Sequence, residues 1–177
     1  MRPALKNFNW HVYGLASSDF DYTVDIVKRI IRLRGQSVER EVSDLKRDES
    51  DAAKEVLSDV LYYTWIEDLY FWHFCLWRLQ GILEGLISTV FLDPSKTGDL
   101  TGLKSRLDAM LKSGYNISPE VYAELLEWSK LRNALSHRPP EQFRPVALDE
   151  QDINEYLSIV KPLVASWESH RVWIAGQ

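Results

Sequence analysis

Residues 65–90, WIEDLYFWHFCLWRLQGILEGLISTV, decide the fold. Within them Trp65, Leu69, Trp72, Leu76, Leu79, Leu83, Leu86 and Val90 recur at alternating intervals of four and three. An α-helix turns once every 3.6 residues, so these positions form one stripe, unbroken over about seven turns. A half-buried strand would need apolar residues at every second position, and they do not fall that way. Tyr63, Tyr70, Phe71, Phe74 and Trp77 make the other faces apolar too. A helix that is apolar all round belongs in the middle of a bundle. These aromatics are therefore expected to be core, not a platform for stacking bases. Asp93-Pro94 ends the segment.

Working outward, the same periodicity recurs. Residues 1–16 carry Phe8, Trp10 and Tyr13 without helical spacing and read as an extended arm. A helix is expected after Asp19 or Asp21, with Val24, Val27, Ile31, Val38, Val42 and Leu45 inward and a weak point at Arg34-Gly35. Residues 37–54 are densely charged, and pairs such as Arg40 with Asp44 and Arg47 with Asp51 suit an exposed face. After the central helix come a short helix with Leu100, Leu103, Leu107 and Met110, then a turn at 114–117. Ser118-Pro119 is a helix start, a capping residue with proline at the first helical position. A last helix, capped near Asp149 or Asp152, turns Ile153, Leu157, Val160, Val164 and Trp167 inward, and Pro162 should kink or divide it. Gly81 and Gly85, four apart, read as a close-packing signal. The expected architecture is all-α, an antiparallel bundle of about five helices in a single domain over 1–177. Its parts are an arm (1–16), a charged first helix (17–54) and a core (55–171).

Composition narrows the function classes. The 177 residues are 45% hydrophobic, with seven Trp, eight Tyr and six Phe, ample for a packed core. A net charge of -5 argues against coating nucleic acid through overall charge, and no DNA partner is expected. Residues 130–144 are an exception: Lys130, Arg132, Arg138 and Arg144 face only Glu141, giving +3 against -8 elsewhere. Such a patch suits a few phosphates. A second basic cluster, Lys28, Arg29, Arg32 and Arg34, reads as a solvated helix face unless it lines the same cleft. The single cysteine, Cys75, excludes an internal disulfide framework and reads as an inert core thiol. The start lacks a secretion signal, and the most apolar run, Leu69 to Trp77, is far short of the roughly 20 residues of a membrane span. A soluble, cytoplasmic protein without a membrane partner is expected. The four histidines show no ligand spacing, so no metal and no cofactor is expected.

The segment Arg132-Asn133-Ala134-Leu135-Ser136-His137 carries the chemistry. Val121, Leu125 and Trp128 form a stripe whose next positions are 132 and 135, so Arg132 interrupts a core seam that resumes at Leu135. A guanidinium there needs a carboxylate, a phosphate or an opening to water. Asp68, Glu67 and Glu84 are the candidate carboxylates. His137 precedes Arg138-Pro139-Pro140, which cannot continue a helix. If the helix loosens near Ser136, cation and imidazole converge. The imidazole can then move a proton, the guanidinium can hold a phosphate through two hydrogen bonds, and the amide of Asn133 can orient either. The plainer alternative pairs Arg132 with a carboxylate and makes His137 a helix cap.

Arg132-Asn133-x-x-x-His137, near the end of a helix in an all-α chain, resembles the R-x4-6-H signature of the HEPN superfamily. The likeness covers six residues closely and the helix order over about 55–170, and does not extend to residues 1–50. It implies a helical bundle that forms a homodimer, with two motifs in one cleft. In active members that cleft is a metal-independent endoribonuclease site, often of toxin–antitoxin or defence systems, cutting RNA by attack of its own 2′-hydroxyl. On this likeness Arg132, Asn133 and His137 are the expected catalytic residues, with Lys130, Arg138 and Arg144 guiding single-stranded or loop RNA. The superfamily also implies an alternative: a non-catalytic interaction module, such as an antitoxin, sensor or scaffold subunit, with a protein partner.

Overall fold

The computed structural model describes residues 16–48, 50–93, 100–137 and 147–175; for His137 and 172–175 this concerns the backbone alone. Residues 1–15 of the expected arm, and Arg138 and Arg144, lie outside the described residues. The chain is all-α: α1 Asp19–Leu45, α2 Asp51–Leu86, α3 Gly102–Lys112, α4 Pro119–His137 and α5 Glu150–Ala175. There is no strand among the described residues.

Local chemistry sets the boundaries. The Ser50 side chain accepts from Ala53 N at 3.1 Å and starts α2. The charged first helix is therefore shorter than expected: it stops at Leu45, and 51–54 belong to α2. The nearby ion pairs are Arg47–Asp44 and Lys54–Asp51. Gly114, at φ +87°, closes α3. Gly114 N donates to Leu111 O and Tyr115 N to Met110 O, the paired bonds of a Schellman end that needs a left-handed residue. Ser118 Oγ accepts from Val121 N at the start of α4. Asp149 Oδ1 accepts from Gln151 N and Asp152 N, while Asp152 Oδ2 accepts from Asp149 N, a reciprocal cap on α5. Neither expected interruption divides a helix: α1 runs through Gly35 and α5 through Pro162.

α2 is the centre, and it continues as a π-helical turn, Ile87–Phe91. Trp72, Cys75, Leu76, Leu79, Ile82, Leu83, Leu86 and Ile87 are buried against the other helices. They meet Leu103, Leu107 and Met110 of α3, Leu125 of α4, and Ile153, Val160, Val164 and Trp167 of α5 in one core. α1 lies antiparallel on α2, with Arg34 bonded to Glu67, Asp68 and Thr64 O, near the opposite end from the cavity that Tyr22 and Val27 share with Phe74 and Arg78. Lys161–Asp21 and Lys28–Glu150 run α5 antiparallel to α1.

Two expectations about α2 fail. Tyr63, Tyr70, Phe74 and Trp77 are not core; each is more than half exposed, as are Tyr62 and Trp65. At 100° per residue, 63, 70, 74 and 77 fall opposite the buried stripe, where α1 and α4 flank the rings without covering them among the described residues. Gly81 is exposed, and an added Cβ would meet nothing within 4 Å, so it marks no close packing. The stretch Asp51–Phe91 is long and apolar enough to cross a membrane by length and composition, but half of its most apolar window is buried inside the fold.

Farther out, α1 and α2 project. From 36 to 66, Ala53 is the one fully buried residue among those described. The two helices form a hairpin beyond the bundle, on which the exposed Tyr62 ring meets those of Tyr63 and Trp65.

Candidate functional site

The inward stripe of α4 places the site. Leu125 is fully buried, Trp128 and Leu135 are partly buried against the core, and Arg132 sits between them with its side chain 19% exposed. Its Nη2 donates to Glu84 Oε1 at 2.5 Å and its Nε to Gln80 Oε1 at 3.1 Å, both on α2. Of the three candidate carboxylates, then, Glu84 is the partner. Glu67 and Asp68 are held by Arg34 on the far side of α2.

Glu84 is shared. Its Oε2 lies 3.2 Å from Arg106 Nη1 of α3, and Arg106 Nε donates to Ser88 Oγ. One carboxylate thus stands between two guanidinium groups, each about one-fifth exposed. Tyr156, fully buried on α5, faces the same network; burial, then the Glu84 charge, push its phenol far above the usual tyrosine range. Gln80 Nε2 and Tyr156 Oη are buried polar atoms without a hydrogen-bond partner among the described residues. Buried polar groups are normally satisfied, so the network is held together at some cost in stability.

Outside this network lies a cleft of about 640 Å³ bordered by α2, α3 and α4. Lys104, Arg106, Lys130, Arg132 and Asn133 line it, with Glu84 at its base. Lys130 also pairs with Glu127, and Lys104 with Asp108. The Lys104 hydrogen bond, then that of Tyr122, hold the Asp108 carboxyl below the usual range, so it stays ionised beside the cleft. The cleft remains richer in cations than in carboxylates. Asn133 is exposed on its wall.

The structure brings Arg132, Asn133 and Lys130 to one cleft. It does not loosen the helix at Ser136. α4 stays α-helical through His137, and Ser136 Oγ donates back to Arg132 O at 3.0 Å. On a regular helix, residues five apart point about 140° apart, so backbone geometry does not converge Arg132 with His137. Asn133 and His137, four apart, share a face. The His137 side chain, Arg138 and Arg144 lie outside the described residues. The cluster Lys28, Arg29, Arg32 and Arg34 does not line this cleft; Lys28 and Arg34 are engaged with Glu150 and with α2. Sequence reading missed Gln80, Lys104 and Arg106. No signal marks them, because Lys104 and Arg106 lie on an ordinary amphipathic helix and Gln80 next to a seam leucine. Cys75 is 1% exposed, and burial pushes its thiol up to about 12, an inert core group as expected. Among the described residues no cluster of His, Cys, Asp or Glu could hold a metal ion.

No family model, curated protein or solved structure matches this chain.

Proposed function

We propose that the protein is a metal-independent endoribonuclease acting on single-stranded or loop RNA. One observation carries the reading: the arginine of the Arg-Asn-x-x-x-His segment borders a cation-rich cleft, although the chain is acidic overall. Glu84 and Gln80 take two of its five N–H donors and hold its plane in place. A fixed guanidinium suits a phosphate whose charge grows in the transition state. In the reaction the 2′-oxygen attacks the neighbouring phosphorus and the bond to the 5′-oxygen breaks. His137 takes the 2′-hydroxyl proton and returns a proton to the leaving oxygen, as an imidazole titrating near neutrality can. The products are a 2′,3′-cyclic phosphate and a 5′-hydroxyl. Asn133 orients the site, and Lys130, Arg138 and Arg144 draw the strand in. A homodimer belongs to the proposal, as does a place in a toxin–antitoxin or defence system, in the cytoplasm.

The Arg132–Glu84 pair and the intact helix at Ser136 favour a second reading, a non-catalytic interaction module in which Arg132 is structural. Incubating the purified protein with mixed RNA in EDTA, beside His137→Ala, separates the two. The nuclease reading expects cleavage by the wild type alone, leaving cyclic phosphate ends. No cleavage by either protein favours the module; equal cleavage by both means a contaminant.

A further inference from the structure

Arg132 borders a second cleft as well. On the other side from the cationic one lies an apolar cavity of about 300 Å³ between α2 and α4. Tyr70, Phe74 and Trp77 line it from α2, and Leu135 and Ser136 from α4. The three rings are 57%, 64% and 56% exposed. Three large aromatic faces turned to water are costly unless something covers them. They fall on one helical stripe, at intervals of four and three.

From this we infer that the aromatic cleft is a nucleobase-stacking subsite, seating an unstacked base of single-stranded RNA while Arg132 and the cationic cleft take its phosphates. The two clefts differ in chemistry and meet at one guanidinium. A nucleotide has that division, with a flat π-face at one end and a phosphodiester at the other. Single strands are gripped by a cationic track combined with aromatic side chains, and each stacked base is worth about fivefold to a hundredfold in affinity. A second copy of the chain would explain exposed rings but not their junction with Lys104, Arg106 and Lys130 through a shared arginine. The subsite rests on the RNA reading above for the polymer it serves, and not on cleavage.

Binding of a fluorescent 2′-O-methyl oligouridylate, which cannot be cut, tests it by anisotropy in EDTA with His137→Ala protein. A second probe has the same backbone with abasic positions. The intact probe is expected to bind about tenfold or more tighter than the abasic one. In Phe74→Ala/Trp77→Ala, whose altered side chains are mostly exposed, that advantage should shrink to near unity while abasic binding stays the same. Circular dichroism checks the fold. Equal affinity for both probes in the parent protein overturns the subsite, as does a base-dependent advantage that survives in the double variant. Loss of a dimer by sedimentation, with base dependence intact, reassigns the face to a second copy and overturns it too. Absence of RNA cleavage with base-dependent binding retained sinks the nuclease alone.

Discussion

At residue scale the decisive group is Glu84, which lies between Arg132 and Arg106 with 16% of its side chain exposed. Removing one partner of a fully buried pair costs roughly 3–5 kcal/mol, because the other charge is stranded. Some water reaches this network, so Glu84→Ala should cost about 2 kcal/mol in urea unfolding, through two unscreened guanidinium groups. Glu84→Ala combined with Arg132→Met should recover no more than about half of that loss, since Arg106 stays without its carboxylate. A single variant as stable as the parent would mean the pair contributes nothing, and that Arg132 is free to serve a ligand without structural duty. Arg132 itself follows the seam logic of its neighbours: position 132 had to face inward because 125 and 128 do. Which carboxylate met it depended on helix packing, since Glu67, Asp68 and Glu84 all lie on α2 and α1 claims the first two through Arg34.

At the scale of elements, α2 presents two apolar faces and the bundle covers one. The amino-terminal half, paired only with α1 in the projecting hairpin, leaves Leu61, Tyr62, Tyr63 and Trp65 at least half exposed. Four large apolar residues clustered on an element that projects about 24 Å form a patch of the kind that marks a protein contact. If the proposed homodimer forms through this hairpin, these are the residues it buries. Tyr62→Ser with Trp65→Ser should shift sedimentation toward the monomer while changing unfolding free energy by under about 1 kcal/mol, since both rings are already wet. A parent protein that is monomeric at 100-fold dilution and at high concentration alike would exclude the hairpin as a self-association surface. The expectation that the aromatics of α2 were core came from composition without direction: period and hydrophobicity show that a helix is apolar all round, not how many neighbours exist to cover it.

Across the whole molecule, a chain of net charge -5 concentrates cations at the cleft where Lys104, Arg106, Lys130 and Arg132 meet. Lys104 comes from α3 and Lys130 from α4, brought together only by folding. Single-strand binding loses affinity with salt at a slope of about 0.7 per phosphate neutralised. Lys104→Ala with Lys130→Ala should therefore flatten the slope of log affinity against log salt by about 1.4, if each lysine meets one phosphate. The same pair of changes should leave the advantage of a base-bearing strand over an abasic one untouched. An unchanged slope would show that the strand does not run through this cleft.

What the sequence determined on its own were the repeating, local features. The 4-3 stripe of α2 from Trp72 to Val90, the Ser118-Pro119 start and the inward residues of α5 each depend on neighbours within one or two turns, and each is found where the pattern puts it; the first two stripe positions, Trp65 and Leu69, lie outside the core, with Trp65 half exposed. The inward position of Arg132 was legible for the same reason. Tertiary structure alone decided which faces stayed bare, which carboxylate held Arg132, and which lysines reached its cleft. Those outcomes turn on contacts between residues about fifty positions apart, such as Arg132 with Gln80 and Glu84. Periodicity fixes the direction of a side chain about its own helix axis. It says nothing of what another helix will place opposite.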